Sequence, residues 1–253
     1  MLRALLYGFF LSLVVVVATV QQVHANPLEP VTFSLAAIDP LAERTEEGKK
    51  QGLLVKLVEE LRKRTEIPIE YQIRPHSRAV LEMEEGHTDF VPTFETPGIN
   101  EIGKPVADLL EVEVFVLGRA GEEPVDSLSD LNGENIGYLS GTWYGQAFAA
   151  NEALQKVPVN NVAHGLELLQ RHRLKAVVAS EVAIPAGYDP QQTDARVRVL
   201  LPLATLKGKL YMSNKSGRDE AAKAIAAAVE AMHEDGTMER LFSNRYEGDR
   251  ARD

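Results

Sequence analysis

The stretch at residues 134–148 reads Glu-Asn-Ile-Gly-Tyr-Leu-Ser-Gly-Thr-Trp-Tyr-Gly-Gln-Ala-Phe. Its short apolar run at residues 136–139 predicts a buried strand. Helical spacing of the apolar residues that follow predicts a helix from about residue 143 to 154. The segment is therefore predicted to fold as a strand, a tight turn and a helix, which is the unit from which α/β proteins are built.

The turn between this strand and helix contains Ser140, Gly141 and Thr142. A helix start leaves backbone N–H groups unpaired and carries a partial positive charge, so the turn is predicted to hold an anionic or strongly polar ligand group. Alternatively, Thr142 only caps the helix and Trp143, the one tryptophan of the chain, fills a core. Polar turns after several other strands favour the ligand hypothesis.

Composition restricts the class of protein. With 253 residues the chain can form two modest lobes, and 45% hydrophobic with 25% charged residues is typical of a soluble globular protein. A formal net charge of -10 argues against nucleic acid and anionic membrane surfaces as partners. The absence of cysteine excludes disulfides and a lipid-anchored cysteine.

Residues 1–25 differ from the rest of the chain. Arg3 precedes an apolar run at residues 4–20, and small residues occupy the positions before a cleavage point after Ala25. This pattern predicts an export signal cut after Ala25 and a protein that is free in the periplasm. An uncleaved membrane anchor is the alternative, because seventeen apolar residues are near the lower limit for a span.

The mature chain alternates predicted strands and helices. The first series has strands at residues 31–36, 67–73 and 89–92, a helix with apolar residues at Leu54, Leu57, Val58 and Leu61, and a short helix capped by Ser77 and closed by Gly86. The order strand, helix, strand, helix, strand predicts parallel sheets with helices on both faces, which bind ligands beyond the carboxyl ends of their strands.

A second series follows the loop at residues 118–124, which is the best candidate for a domain boundary. It has predicted strands at 136–139, 157–159, 176–179 and 197–201, with a helix at 162–172. A further segment at 207–212 is predicted to leave the second lobe, and two last helices are predicted at 217–234 and 237–246. The fold class is therefore α/β.

Several fragments, taken in order, resemble the type-2 periplasmic solute-binding proteins (bacterial extracellular solute-binding protein family 3). Residues 52–61 resemble the first helix of that family. Residues 75–79, Pro-His-Ser-Arg-Ala, and 86–89, Gly-His-Thr-Asp, resemble its Pro-Trp-x-Arg-Ala and Gly-x-x-Asp pieces. Residues 131–137 resemble the opening of its second lobe, and 235–237, Asp-Gly-Thr, a motif near its end.

This resemblance implies two lobes, each a mostly parallel sheet flanked by helices, joined by two crossover hinge segments. Lobe 1 would combine residues 26–116 with 206–250, lobe 2 would span 117–205, and 247–253 would form a charged tail. Ligand in the cleft would contact both lobes and favour the closed form over the open one.

The resemblance also implies a common direction for side chains at the strand ends. From lobe 1 the cleft would be lined by Asp39, His76, Arg78, Thr93, Phe94, Glu95 and Thr96. From lobe 2 the facing residues would be Ser140, Thr142, Trp143, Tyr144, Ser180 and Glu181.

Each of these assignments has a structural alternative. Arg78 can pair with Glu82 one helical turn on, and His76, where relatives have tryptophan, can simply pack. Thr93 and Thr96 can satisfy loop backbone groups, and Glu181 can be exposed to solvent.

Two departures from the family pattern concern the ligand. The arginine that clamps the α-carboxylate of amino-acid ligands in the family is absent from residues 98–101, Gly-Ile-Asn-Glu. The usual acidic partner of the α-amino group is replaced by Ser180, with Glu181 next to it. Arg74 or Arg78 would have to replace the clamp; otherwise Glu95 or Glu101 would favour a cationic or neutral polar solute.

The resemblance predicts a periplasmic solute-binding protein that captures a small polar solute, an amino acid or a related compound, and presents it to an ABC-type importer. No enzymatic activity, cofactor or metal is expected, and the protein is expected to be a monomer whose partners are a small molecule and a membrane permease or receptor. The alternatives are a cyclohexadienyl dehydratase-like enzyme on the same scaffold, and a soluble sensor lobe for a membrane receptor.

Overall fold

The computed structural model describes residues 30–185, 188 and 196–243. The predicted export signal and charged tail lie outside these residues. The strands of the described part are β1 (Val31–Ala36), β2 (Glu43–Arg44), β3 (Lys50–Gln51), β4 (Ile69–Arg74), β5 (Phe90–Phe94), β6 (Gly103–Arg119), β7 (Asn135–Leu139), β8 (Gln155–Val159), β9 (Ala176–Ser180) and β10 (Val197–Ser213). The α-helices are α1 (Leu53–Thr65), α2 (His76–Glu85), α3 (Ile99–Ile102), α4 (Gln146–Ala150), α5 (Val162–Gln170), α6 (Asp219–Glu234) and α7 (Thr237–Ser243).

Eight strands form one continuous sheet in the order β4-β1-β5-β10-β6-β9-β7-β8, while β2 and β3 form a separate small hairpin. At one end of the sheet β4, β1 and β5 run parallel. At the other end β9, β7 and β8 run parallel. The two parallel groups are the sheets of two lobes, and the antiparallel strands β10 and β6 lie between them.

The long strands β6 and β10, of 17 residues each, belong to both lobes. Residues 208–212 of β10 pair with β5 in lobe 1, whereas residues 114–117 of β6 pair with β9 in lobe 2. The two strands therefore cross between the lobes near residues 111–113 and 205–207, where they pair with each other. The fold is thus two-lobed α/β with two crossover segments, and the predicted lobe boundaries at 116/117 and 205/206 stay predictions.

Each lobe has its own core. In lobe 1, Phe33 and Phe90 stack with ring centroids 5.0 Å apart beneath α1 and α6. In lobe 2, Ile136 and Val178 are buried on one face of the sheet and Val177 on the other, against α5. Strands covered on both faces need apolar side chains on both, which explains the unbroken apolar runs of β7 and β9.

Local sequence accounts for β1 and α1. The strand at residues 31–36 is confirmed with the predicted bounds. The helix with Leu54, Leu57, Val58 and Leu61 is also confirmed, and all four side chains are buried. It ends at Glu66, in the left-handed conformation at φ 56°, before Pro68.

The cap of α2 was predicted wrongly. The helix begins at His76 with Pro75 as the N-cap residue and no side-chain cap, so Ser77 lies inside its first turn. Proline is suited to this position because its fixed φ does not disturb the helix start. Closure by Gly86 is confirmed, since this residue adopts φ 81° and donates its N–H to the end of the helix.

Two further predictions need correction. The strand predicted at 197–201 and the separate segment predicted at 207–212 form one strand, β10. It continues through Pro202 and Gly208 because register shifts accommodate both residues. The helix predicted from 143 to 154 is only the five-residue α4, because Gly145 at φ 94° delays its start.

Candidate functional site

A cavity lies between the lobes at the carboxyl ends of the parallel strands. Its volume is about 50 Å³. One water needs about 10–15 Å³ of cavity, so the cavity can hold several waters or one small molecule. Its described lining residues are Ala36, Ile38, Leu41, Leu54, His76, Pro92, Thr93, Phe94, Leu109, Leu110, Thr142, Val182, Gly208 and Phe242.

Lobe 1 supplies most of the wall. Ile38 and Leu41 come from the loop after β1, His76 from the first residue of α2, and Thr93 with Phe94 from the end of β5. The loop is held in place because Pro40 and Leu41 accept hydrogen bonds from the N–H groups of residues 53 and 54, at 3.1 and 2.8 Å. These contacts satisfy the free N–H groups at the start of α1 and fix the loop as part of the wall.

Lobe 2 and the crossing strands complete the wall. Thr142 follows β7 and Val182 follows β9. Leu110 of β6 and Gly208 of β10 come from the strands that join the lobes. A Cβ atom at Gly208 would lie 2.7 Å from Cδ2 of Leu110, so a side chain here would require the end of the Leu110 side chain to move. A molecule in the cavity would therefore contact both lobes and the connection between them.

His76 joins the two sides of the cavity. Its Nε2 lies 3.1 Å from Oγ1 of Thr93 in lobe 1. Its Nδ1 is buried and makes no hydrogen bond of good geometry with the described residues. The imidazole also interacts with the backbone of Gly141 in lobe 2. Burial lowers the pKa of His76, and the Gly141 backbone opposes this effect only in part. The imidazole is therefore neutral at neutral pH.

We expect acid to destabilise the protein through His76. Folding lowers the pKa of His76, so the unfolded chain takes up the proton first as the pH falls. The free energy of unfolding is therefore unaffected by His76 above pH 6.5, its ordinary pKa, and decreases as the pH drops below that value. One proton changes the free energy of unfolding by at most about 1.4 kcal/mol per pH unit. Urea unfolding of wild type and His76→Gln at pH 7.5 and 5.5 measures this. The variant should lose less stability than wild type; equal losses would contradict the assignment.

Thr142 lies on the wall, whereas its neighbours belong to the core of lobe 2. Oγ1 of Thr142 is buried near the Tyr144 hydroxyl but makes no hydrogen bond of good geometry with the described residues. Tyr144 is buried and accepts a hydrogen bond from the Leu139 N–H at 3.2 Å, and burial raises its pKa to about 12. Trp143 packs against the same core.

The turn at residues 140–142 does not begin a helix, which corrects the sequence prediction. The N–H of Thr142 donates back to the carbonyl of Leu139 at 3.3 Å, and α4 starts only at Gln146. The expected helix-start site for an anion therefore has no structural basis here. Ser140 is exposed beside this turn.

The two arginines considered as carboxylate clamps are engaged elsewhere. Nε of Arg74 and Nε of Arg78 lie 3.2 and 3.1 Å from the same oxygen of Glu82. The other Glu82 oxygen accepts a hydrogen bond from the buried Ser34 hydroxyl at 2.6 Å. Burial raises the pKa of Glu82, but Ser34 and the two arginines outweigh it and lower the pKa overall. Neither arginine lies on the described cavity wall.

Glu82→Gln should destabilise lobe 1 by about 1–2 kcal/mol. The neutral amide can no longer form ion pairs with the two half-exposed arginines, and Ser34 loses its hydrogen bond to a carboxylate. Folding lowers the pKa of Glu82. Wild type should therefore be more stable than the variant above pH 4.5, the ordinary pKa of this group, and should lose that extra stability as the pH falls below 4.5. Urea unfolding at pH 7 and pH 3 measures both effects. Glu84→Gln, exposed on the same helix, should leave stability unchanged; equal losses in the two variants would contradict the role of Glu82.

The remaining predicted site residues lie away from the wall. The carboxylate of Glu95 pairs with Lys209 at 3.2 Å. The Thr96 hydroxyl accepts from the Ile99 N–H at 3.2 Å, as its structural alternative proposed. One oxygen of Glu181 accepts from the Glu113 N–H at 3.4 Å. Ser180 is buried at the end of β9, and Asp39 and Glu101 are exposed.

Of the thirteen predicted site residues, the wall therefore includes His76, Thr93, Phe94 and Thr142. Ligand contact by any of the thirteen stays a prediction. The apolar part of the wall was missed, because residues such as Leu109, Val182 and Phe242 have the sequence pattern of ordinary core positions. Of these three, only Val182 could have been indicated by the sequence, because it closely follows the end of β9.

The described residues contain no group of three or more His, Asp or Glu side chains that could hold a metal ion. Within the same part of the chain, no helix is long and apolar enough to cross a membrane.

Comparison with known proteins identifies the fold. The sequence matches no protein-family model and no curated protein sequence. A mutant of ArgBP from T. maritima matches the structure with a TM-score of 0.72 and 13% identity, covering 86% of this chain and 95% of that one. The substrate-binding protein of an amino acid ABC transporter matches with a TM-score of 0.68 and 14% identity, covering 86% and 99%.

A histidine kinase sensor domain with similarity to periplasmic binding proteins also matches, with a TM-score of 0.70, 14% identity and coverage of 85% and 95%. All three likenesses extend over nearly the full length of the other chain, including both lobes and the crossing strands. The protein therefore has the two-lobed fold of the type-2 periplasmic solute-binding proteins.

Proposed function

We propose that this protein captures a small solute, an amino acid or a related compound, between its lobes and presents it to an ABC-type importer. The observation that carries this proposal is the cavity, because its wall combines His76 of lobe 1 with Thr142 of lobe 2 and with the crossing strands. A molecule that contacts both lobes binds the closed form more tightly than the open one and so shifts the population towards closure. Closure is the signal that an importer can recognise.

The same proposal places the protein in the periplasm as a monomer, with a membrane permease as its partner. The predicted signal at residues 1–25 supports this location, as does the similarity of fold to solute-binding proteins. Mass spectrometry of the exported protein tests it, because cleavage after Ala25 leaves Asn26 as the first residue.

We propose binding without catalysis. Among the described wall residues His76 is the only one that ionises near neutral pH, and its pKa is lowered by burial. A dehydratase of the cyclohexadienyl type would need this one group as its general acid, although its neutral form is a poor proton donor. Incubation with prephenate or arogenate decides the point, since the appearance of aromatic product would replace binding by catalysis.

A sensor role is the second candidate, and the similarity to a histidine kinase sensor domain favours it. In that case the closed form would be presented to a membrane receptor instead of a permease. Affinity capture with the ligand-loaded protein from solubilised membranes separates the two roles, because the captured partner is either a permease or a kinase.

A thermal-shift screen of small metabolites tests the binding function itself. A specific ligand should stabilise the protein by RT ln(1 + [L]/Kd), which is about 2.7 kcal/mol at a hundredfold excess over Kd. If a broad library of polar and apolar solutes gives no binder, the proposal fails.

A further inference from the structure

The loop after β1 reaches from lobe 1 to the core of lobe 2. Ile38, in this loop, packs against the buried cluster of lobe 2 that includes Val177, Ala179 and Ile184. In the described part of the chain Ile38 does not belong to the core beneath α1, although β1 does. Leu41, in the same loop, packs against the cores of both lobes. The loop therefore makes direct apolar contact between the lobes.

The shape of this loop is fixed within lobe 1. The carbonyl of Ile38 accepts hydrogen bonds from the N–H groups of Leu41 and Ala42, at 2.6 and 3.0 Å. The N–H of Ala37 donates to the carbonyl of Arg74, the last residue of β4, at 2.7 Å. Because these backbone bonds already hold the loop, little conformational entropy is lost when Ile38 contacts lobe 2.

A second contact joins the lobes at the start of α2. A Cβ atom at Gly141, in the turn after β7, would lie 3.9 Å from Cβ of Ser77. The imidazole of His76, beside Ser77, interacts with the backbone of the same glycine. Ser77 and Gly141 are both exposed, so this contact lies at the protein surface, where opening of the lobes would separate the two residues.

We infer that these contacts form a latch through which the lobes close even without solute. The latch consists of Ile38 and Ser77 of lobe 1, and their partners in lobe 2 are the core around Ile184 and the turn at Gly141. Partial burial of one aliphatic side chain favours the closed form by about tenfold. The protein without solute is therefore a mixture of open and closed forms, and solute shifts this mixture further towards closure.

The latch also affects affinity for any solute that is held between the lobes. The apparent dissociation constant equals the intrinsic constant divided by the fraction of protein in the binding-competent form. Contacts between the lobes that raise this fraction therefore tighten binding without touching the solute. The inference goes beyond the proposed function, because it concerns the protein without its solute.

A pair of engineered cysteines tests the latch in the mature protein. The chain has no cysteine of its own, and the 3.9 Å between the two Cβ positions lies within the range of about 3.5–4.5 Å that a disulfide spans. The variant carrying Ser77→Cys and Gly141→Cys is washed free of solute in urea, refolded and incubated with oxidised glutathione. We expect an intramolecular disulfide, seen as loss of both free thiols and as a faster-migrating monomer on a non-reducing gel.

Truncation of Ile38 tests whether the latch favours closure. In the double-cysteine variant, Ile38→Ala should slow disulfide formation by about five- to tenfold, because the rate follows the fraction of closed protein. Ile102→Ala makes the same change at a half-buried residue that packs against a cluster within lobe 1, and should leave the rate unchanged. Equal rates for these two substitutions would overturn the role of Ile38.

The result that would overturn the latch as a whole is a folded variant whose two thiols react with a maleimide but form no disulfide. Gly141 adopts φ 79°, where cysteine adds backbone strain, so circular dichroism first establishes that the variant is folded. If it is not, X-ray scattering of the single variants without solute decides. Ile38→Ala should then have a larger radius of gyration than Ile102→Ala, and equal values would overturn the inference.

These outcomes are separate from those of the proposed function. None of the latch measurements uses a solute, so a failed latch leaves solute binding in place. An empty solute screen, in turn, would remove the proposed function without changing the rate at which the cysteines join.

Discussion

Gly52→Ala should lower the free energy of unfolding by about 2–4 kcal/mol. Gly52 precedes α1 at φ 122°, a conformation that residues with a side chain rarely adopt. A Cβ atom there would lie 2.5 Å from the carbonyl oxygen of Leu41 and 2.8 Å from Cα of Ala42. Both are backbone atoms and cannot rotate away.

The damage should extend to the cavity. Leu41 lies on the wall, and its carbonyl accepts the N–H of Leu54 at 2.8 Å. Pushing the loop off α1 would break this hydrogen bond and displace both Ile38 and Leu41. We therefore expect Gly52→Ala to weaken solute binding as well as stability.

Gly48→Ala is the matched control. Gly48 lies in the same region at φ 81°, but a Cβ atom there would meet nothing within 4 Å. It should cost only the left-handed backbone strain, about 1–2 kcal/mol. Urea unfolding followed by circular dichroism compares the two variants, and an equal loss in both would show that the contact with Leu41 is not what requires glycine.

Ala36→Phe should reduce solute affinity by more than about tenfold, because the larger ring occupies space that the solute needs. Ala36 is the last residue of β1, is buried and lies on the cavity wall. Part of the new ring can enter the cavity, so overpacking should cost no more than about 1–3 kcal/mol of stability. The protein should remain folded but unable to close on its ligand.

The neighbouring residue supplies the control for this variant. Ala37 is exposed and does not lie on the described wall, so Ala37→Phe adds the same ring outside the cavity. Calorimetric titration of both variants with the best solute from the screen makes the comparison. Retained affinity in Ala36→Phe would mean that the solute binds elsewhere.

Sequence patterns predicted the elements whose burial follows a simple period. The apolar run of β1 and the helical spacing of α1 agree with the structure, because β1 is buried along almost its whole length and α1 buries one face. The pattern failed for α4, where Leu154 continues the helical spacing but the helix ends at Ala150. It also failed for β10, because Pro202 and Gly208 indicate breaks that long-range pairing with β6 overrides.

The candidate site was less predictable than the fold. Strand ends indicated His76, Thr93 and Thr142, since parallel sheets gather their carboxyl ends at one edge. The apolar wall could not be distinguished from core, because burial against a cavity and burial against a neighbour require the same residue types. Nor could the sequence show that Glu82 holds both candidate arginines, although its pairing with Arg78 was one of the alternatives considered.

Small-angle X-ray scattering of the mature protein tests the central claim most directly, which is that two lobes close on a solute held between them. The radius of gyration should be measured without ligand and with a saturating concentration of the solute that raises the melting temperature most. Solute should decrease the radius of gyration in wild type, and Ala36→Phe should show no decrease. A wild-type protein that binds the solute with its radius of gyration unchanged would contradict closure around the cavity.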